Sequence, residues 1–140
     1  MTSGNGQPTL VVDGLKTHFF TKAGVVKAVD GVSFDVRPGE ILGLVGESGS
    51  GKTITGFSIM GLIDQPGRIV EGGIHFGGRN LAGLNDDELR SVRGNRIAMI
   101  FQDPMMTLNP VLRIDTQMVE TVQAHNDVDR KTALERSRAA

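Results

Sequence analysis

The order of apolar and polar residues predicts strands at the start of the chain. Apolar side chains occupy every second position of 32–36, which is the period of a strand with one buried face. Residues 10–12 and 18–20 are predicted to be short strands around a turn, and a further break is predicted at 21–24. We therefore expect an antiparallel β portion at the front of the fold.

Two later apolar runs are continuous instead of alternating. Residues 41–45 and 97–101 contain no polar side chain, which is typical of strands covered on both faces of a sheet. A turn is predicted at 37–40, where Pro38 fixes φ before the first of these runs. Both runs are predicted to be buried strands.

Helical spacing starts after the first of these runs. Apolar residues recur there at every third position, which predicts a helix with one apolar stripe that ends at 66–67. The stripe consists of Ile54, Phe57, Met60 and Ile63. Further helices are predicted over 114–124 and from Asp129 onward, and another starts at Asn85, with Glu88 completing a capping box. This succession of strands and helices predicts an α/β fold.

The composition is that of an ordinary globular protein. The 140 residues are 39% hydrophobic and 22% charged, and the net charge of −1 argues against a nucleic-acid-binding surface. The chain has no cysteine, which excludes disulfides and thiolate metal sites. No apolar run approaches the roughly 20 residues of a membrane-spanning helix, and 1–9 is predicted to be a disordered tail. We expect a cytosolic protein without direct membrane insertion.

Glycine is unusually frequent in this composition. It accounts for 19 of the 140 residues, whereas a share of about 7% is usual. The segment 46–53 matches the pattern G-x-x-x-x-G-K-[ST] between a predicted strand and a predicted helix. Backbone N–H groups of such a loop surround a phosphate, and the helix N-terminus adds a positive dipole end. Lys52 would contact the β- and γ-phosphates, and the Thr53 hydroxyl would bind Mg²⁺. The alternative is a glycine-rich turn that matches the pattern by chance.

The predicted phosphate-binding residues are Gly46, Glu47, Ser48, Gly49, Ser50, Gly51, Lys52 and Thr53. A wider pattern is formed by four segments, one of which includes this loop. They are AVDGVSF at 28–34, GEILGLVGESGSGKT at 39–53, MGLI at 60–63 and AMIFQDPMMTLNP at 98–110. Together they resemble an ABC transporter ATP-binding subunit of the oligopeptide, dipeptide and nickel permease branch. The resemblance implies an ABC-type P-loop NTPase fold over 10–140 that binds ATP and Mg²⁺.

The resemblance also implies roles for residues that the P-loop does not include. Gln102 matches the Q-loop glutamine, which reaches Mg²⁺ and the attacking water and links the ATP site to the transmembrane partner. Read without the family, Gln102 is a polar residue that ends a buried strand. Residues 103–106 would face the permease, although a methionine pair is otherwise common as core filler.

The aromatic residue that stacks on adenine in this family is not obvious in the chain. Ala23, Val25 and Val26 occupy its expected region, and Phe19 and Phe20 are the nearest rings, with roles in the strand core as the alternative. The three histidines are not predicted to form a cluster, and the acidic residues at 86–88 are expected to start a helix and not to bind metal.

The family's signature loop, Walker B segment, catalytic glutamate and switch histidine have no counterpart in residues 1–140. The resemblance therefore implies the N-terminal portion of a longer ATPase, which hydrolyses ATP across a dimer of ATP-binding subunits and drives import of peptides or nickel. Its partners would be a second ATP-binding subunit and transmembrane permease subunits at the inner face of the membrane. The 140-residue chain alone is expected to be inactive, with exposed apolar surface and unpaired strand edges. The alternative is a non-hydrolysing nucleotide-binding or interaction fragment.

Overall fold

The computed structural model describes residues 7–102 and 108–139. Most of the predicted tail and the segment 103–106 therefore lie outside the described residues. The chain divides into two compact units, residues 1–89 and 90–140, and each is described by itself.

The first unit contains a four-stranded antiparallel sheet in the order β2-β1-β3-β4. The strands are β1 (Leu10–Thr21), β2 (Gly24–Val36), β3 (Gly67–Phe76) and β4 (Arg79–Asn80). The predicted antiparallel β portion is confirmed. The two short strands predicted near the start form one strand without a turn between them, and its pairing with β2 has register irregularities between residues 12 and 18.

One face of this sheet forms the core of the first unit. Val12, Leu15, Val29 and Ile74 are at most 3% exposed. Burial of such side chains stabilises the fold by about 1.5–3 kcal/mol each. The half-buried alternation predicted for 32–36 is also present in β2.

Helix α1 (Lys52–Met60) packs against the sheet. The predicted apolar stripe is wrong in part: Thr55 and Ser58 are buried together with Met60, whereas Ile54 and Phe57 are half-buried. The reason is that a hydroxyl group of β1 faces the helix and forms a hydrogen bond with Ser58.

The helix also ends earlier than predicted. The N–H groups of Gly61 and Leu62 donate to the carbonyls of Ser58 and Phe57 and close the last turn. These bonds satisfy carbonyls that the helix itself leaves unpaired. Ile63 and the predicted end at 66–67 therefore lie beyond α1.

The two predicted buried strands are absent. Residues 41–45 form no strand ladder, and Ile41 and Val45 are 98% and 95% exposed. Residues 97–101 make a single bridge, between Arg93 and Ile97, and Ile100 is 98% exposed. No strand among the described residues pairs with either run, so neither run has a strand neighbour at its edges, while Ile97 and Met99 are half-buried. This matches the expectation of exposed apolar surface and unpaired strand edges.

The remaining helices are α2 (Asp86–Val92), α3 (Ile114–Gln123) and α4 (Arg130–Ala139). The predicted capping box starts α2: the Glu88 N–H donates to Asn85 Oδ1 over 3.0 Å, and the Asn85 N–H donates to Glu88 Oε2 over 3.1 Å. In the second unit, α3 and α4 pack together and bury Val119 and Ala133. Within the described part of the chain, no helix has the length and apolar character needed to cross a membrane.

Candidate nucleotide-binding site

The segment 46–53 follows the exposed run 41–45 and leads into the first turn of α1. The N–H of Ser50 donates to the carbonyl of Glu47 over 3.2 Å and closes a turn in the loop. The eight predicted residues therefore form one loop and one helix N-terminus, as the pattern required.

The Lys52 ammonium group crosses this loop. Its Nζ donates to the carbonyl oxygens of Gly46 and Glu47, both over 2.7 Å, and to Ser50 Oγ over 3.2 Å. A lysine ammonium has three N–H donors, so these three contacts hold the positive charge in the loop, and a bound phosphate would replace at least one of them.

Two glycines leave room that a side chain would fill. A Cβ at Gly46 would lie 2.6 Å from Ser50 Oγ, so a side chain at this position would displace Ser50. Gly51 has a φ of +88° and rests on β2, where a Cβ would collide with the carbonyl oxygen of Ala28. Glycine is the residue that permits both this backbone conformation and this close approach.

The start of α1 presents its N–H groups without a competing partner from a side chain. Gly51 is the N-cap residue and makes no side-chain capping bond, and the first turn contains no acidic residue. The Thr53 side chain is exposed at this turn. N–H groups, a dipole end and an ammonium group are the donor set that a phosphate chain requires, so the residues present fit a nucleotide phosphate.

Gln102 belongs to the second unit. It is exposed and follows the extended run 97–101. The neighbouring permease-facing residues predicted at 103–106 lie outside the described part of the chain.

The two candidate adenine contacts lie on opposite faces of β1. The Phe19 ring packs against Gly67 and Ile63, on the side of the sheet that carries α1. The Phe20 ring faces the other way and lies 4.2 Å from the guanidinium carbon of Arg68.

The polar residues that the sequence did not assign to a site remain separate. The described residues contain no group of three or more histidine, aspartate or glutamate side chains that could hold a metal. His18 Nε2 lies 3.8 Å from Asp30 Oδ1. Residues 86–88 form the first turn of α2, as predicted.

Comparison with protein families agrees with this geometry. The family model described as ABC transporter matches residues 29–139, which is most of the chain. The chain belongs to the ABC transporter family.

Several ABC transporter ATP-binding proteins are similar to it. The chain is 50% identical over 129 residues to a probable peptide ABC transporter ATP-binding protein of Sinorhizobium fredii, covering 91% of this chain and 38% of that protein. It is 41% identical to the dipeptide transport ATP-binding protein of Escherichia coli and 45% identical to an oligopeptide transport ATP-binding protein of Bacillus subtilis, covering 91% of this chain and 39% of each. The chain thus spans about two-fifths of the length of these relatives.

Solved structures share the fold of this ABC chain. A dimeric, post-hydrolysis structure of the ATP-binding cassette MJ0796 bound to ADP and Pi superimposes with a TM-score of 0.78, at 20% identity and covering 93% of this chain and 54% of that one. The predicted ABC-type P-loop fold is therefore confirmed.

The hydroxyl residues that hold the helix following the loop 46–53 were not identified from the sequence. Thr55 Oγ1 donates to the carbonyl of Gly51 over 2.9 Å. Ser58 forms a buried hydrogen bond with Thr17 of β1. Residues three apart share one helix face, which could have grouped 55 with 58, but no sequence pattern announces the partner on β1.

Proposed function

We propose that residues 46–53 bind the phosphates of ATP in an energy-coupling subunit of an importer for peptides or nickel. The observation that carries the proposal is the Lys52 ammonium group, held at the centre of the loop by contacts with Gly46, Glu47 and Ser50. A fixed positive charge beside unpaired N–H groups of a helix N-terminus stabilises a polyphosphate.

Metal binding would use hydroxyl and amide oxygens of this chain. Thr53 is exposed at the helix start and Gln102 is exposed in the second unit, and oxygen ligands of this kind suit Mg²⁺. Bound magnesium would neutralise charge on the β- and γ-phosphates. Thr53 would hold the metal beside the loop, and Gln102 would orient the attacking water.

Phe19 is the better candidate for the adenine contact. It lies on the side of the sheet that carries α1, and its ring contacts Ile63 and Gly67, which follow the C-terminal end of that helix. Phe20 is on the other face, against Arg68. A base stacked on an aromatic ring gains about 1–3 kcal/mol, so this contact would add to phosphate binding.

The proposed partners are permease subunits and a second ATP-binding subunit at the cytoplasmic face of the membrane. The similar proteins are named for transport of peptides, dipeptides and oligopeptides, and the similar solved cassette is a dimer. Exposed apolar side chains in the second unit support a permease contact. They are Leu108, Val111, Leu112, Ile114 and Met118, and three of them border a groove of about 540 Å³. Hydrolysis would be completed across the dimer.

The test is to measure nucleotide binding by a Lys52→Ala variant of the full-length protein. Isothermal titration with Mg·ATP should give saturable binding for the wild type and a loss of at least about tenfold in affinity for the variant. Lys131→Ala is the matched control, because Lys131 is an exposed lysine on α4, in the second unit. Far-UV circular dichroism confirms that each variant is folded. Equal affinity of the wild type and Lys52→Ala would refute the assignment.

A further inference from the structure

A buried pair of hydroxyl groups joins α1 to the sheet. Thr17 Oγ1 and Ser58 Oγ are 2.8 Å apart, and the two residues are 0% and 2% exposed. Polar groups at such depth are costly unless they are hydrogen-bonded. A helix that needed only attachment would be held more simply by an apolar residue at 58.

The direction of this hydrogen bond follows from the neighbouring contact. Ser58 Oγ also lies 2.7 Å from the carbonyl oxygen of Ile54, which can only accept. A serine hydroxyl has a single proton, so Ser58 donates to Ile54 and accepts from Thr17. Both hydroxyl protons are thereby used, and the bond links the second turn of α1 to β1 with a defined geometry.

The first turn of α1 is attached at a second point. Gly51 rests against the Ala28 carbonyl of β2 and lies beside Val29. Thr17 and Val29 are direct partners in the β1–β2 ladder. The helix therefore contacts neighbouring positions of the β1–β2 ladder, through a backbone contact with Ala28 at its start and a hydrogen bond with Thr17 seven residues later.

These two attachments restrict different motions of the helix. The contact at Gly51 limits how closely the start of α1 approaches β2, while a hydrogen bond is directional and limits rotation about the helix axis. Rotation of α1 would redirect the Lys52 side chain and would move the N–H groups of its first turn around the helix axis. We propose that Thr17 and Ser58 are positioning residues for nucleotide binding, which set the rotation of α1 and hence the aim of its N-terminal donors.

This inference rests on the proposed binding of nucleotide phosphates at 46–53. Its test compares the stability and the Mg·ATP affinity of Thr17→Val, Ser58→Ala and the double variant, each in the full-length protein. Each single change leaves a buried hydroxyl partly unsatisfied and should lower both the urea midpoint and the affinity for Mg·ATP. The double variant removes both groups, so it should recover much of the lost stability while its affinity stays about tenfold below wild type.

Two further variants separate positioning from packing. Thr17→Ser keeps the hydroxyl and should bind Mg·ATP within about twofold of wild type. Ser33→Ala is the matched serine control: it removes a 2.8 Å hydrogen bond from the Gly14 N–H at an exposed position of β2. That control should leave affinity unchanged. Should a single variant fail to fold, the double variant and Thr17→Ser still decide the question.

Wild-type affinity in the double variant would overturn the positioning role, and so would a Thr17→Ser variant as impaired as Thr17→Val. The Lys52→Ala variant distinguishes failure of the proposed function from failure of the positioning role alone. If Lys52→Ala binds Mg·ATP normally, the proposed function itself fails. If Lys52→Ala loses binding while the double variant retains it, the loop is the site and only the positioning role is refuted.

Discussion

Replacing Gly51 with alanine tests whether α1 is seated on the sheet as described. Gly51 has a φ of +88°, and a Cβ there would collide with the carbonyl oxygen of Ala28, with Val29 Cγ2 at 3.5 Å. The obstacle is backbone in the middle of β2 and cannot move aside as a flexible side chain could. Gly49 provides the comparison, because its φ is +81° and a Cβ there has no neighbour within 4 Å.

The two substitutions should differ by the steric term alone. Left-handed backbone at a non-glycine residue costs about 1–2 kcal/mol, and this cost applies to both Gly49→Ala and Gly51→Ala. Overpacking against fixed neighbours costs a further 1–3 kcal/mol, roughly, and this cost applies to Gly51→Ala only. We expect a loss in the free energy of unfolding of about 2–5 kcal/mol for Gly51→Ala and about 1–2 kcal/mol for Gly49→Ala.

The assay is urea unfolding followed by far-UV circular dichroism, with the free energy extrapolated to water. The wild type, Gly49→Ala and Gly51→Ala are compared under the same conditions. Equal losses for the two variants would show that Gly51 is not pressed against Ala28. The described seating of α1, and with it the positioning role of Thr17 and Ser58, would then be wrong.

Three further predictions concern separate features of the chain. Asn85→Ala should lower the free energy of unfolding by about 1 kcal/mol in urea titrations because it removes the N-cap of α2; an unchanged value would mean that this cap is not formed. Hydrogen bonds from Arg113 lower the pKa of Asp115. The ion pair therefore stabilises the fold at pH values above about 3.9, the pKa of an aspartate in the unfolded chain. This stabilisation is lost as the pH falls through the lower pKa that Asp115 has in the folded chain. An NMR titration should show the Asp115 pKa rise in Arg113→Leu, and no rise would contradict the pairing. Phe19→Ala should weaken binding of ATP but not of tripolyphosphate, while Phe20→Ala should change neither; the reverse result would assign adenine to the other face of the sheet.

The sequence predicted elements where a local signal was sufficient. The alternation at 32–36 and the Asn85–Glu88 capping box depend on residues within a few positions of each other, and both are present. The loop at 46–53 was found for the same reason, because its spacing encodes one turn and one helix start.

Elements that depend on distant partners were predicted less well. Residues 41–45 have the composition of a buried strand, but a strand needs a hydrogen-bonded neighbour on at least one edge, and none of the described residues pairs with that run. The stripe on α1 failed because Ser58 is buried against a hydroxyl on β1, 41 residues earlier in the chain. Such pairing depends on tertiary contacts that a helical period does not contain.

The central claim is that residues 46–53 hold the phosphates of ATP. The most direct measurement is an amide ¹H–¹⁵N NMR titration of the protein with Mg·ATP. The largest saturable shifts should fall on the N–H groups of 46–53, and they should disappear in Lys52→Ala. Saturable binding that left those amides unchanged, or shifts that persisted in Lys52→Ala, would contradict the claim.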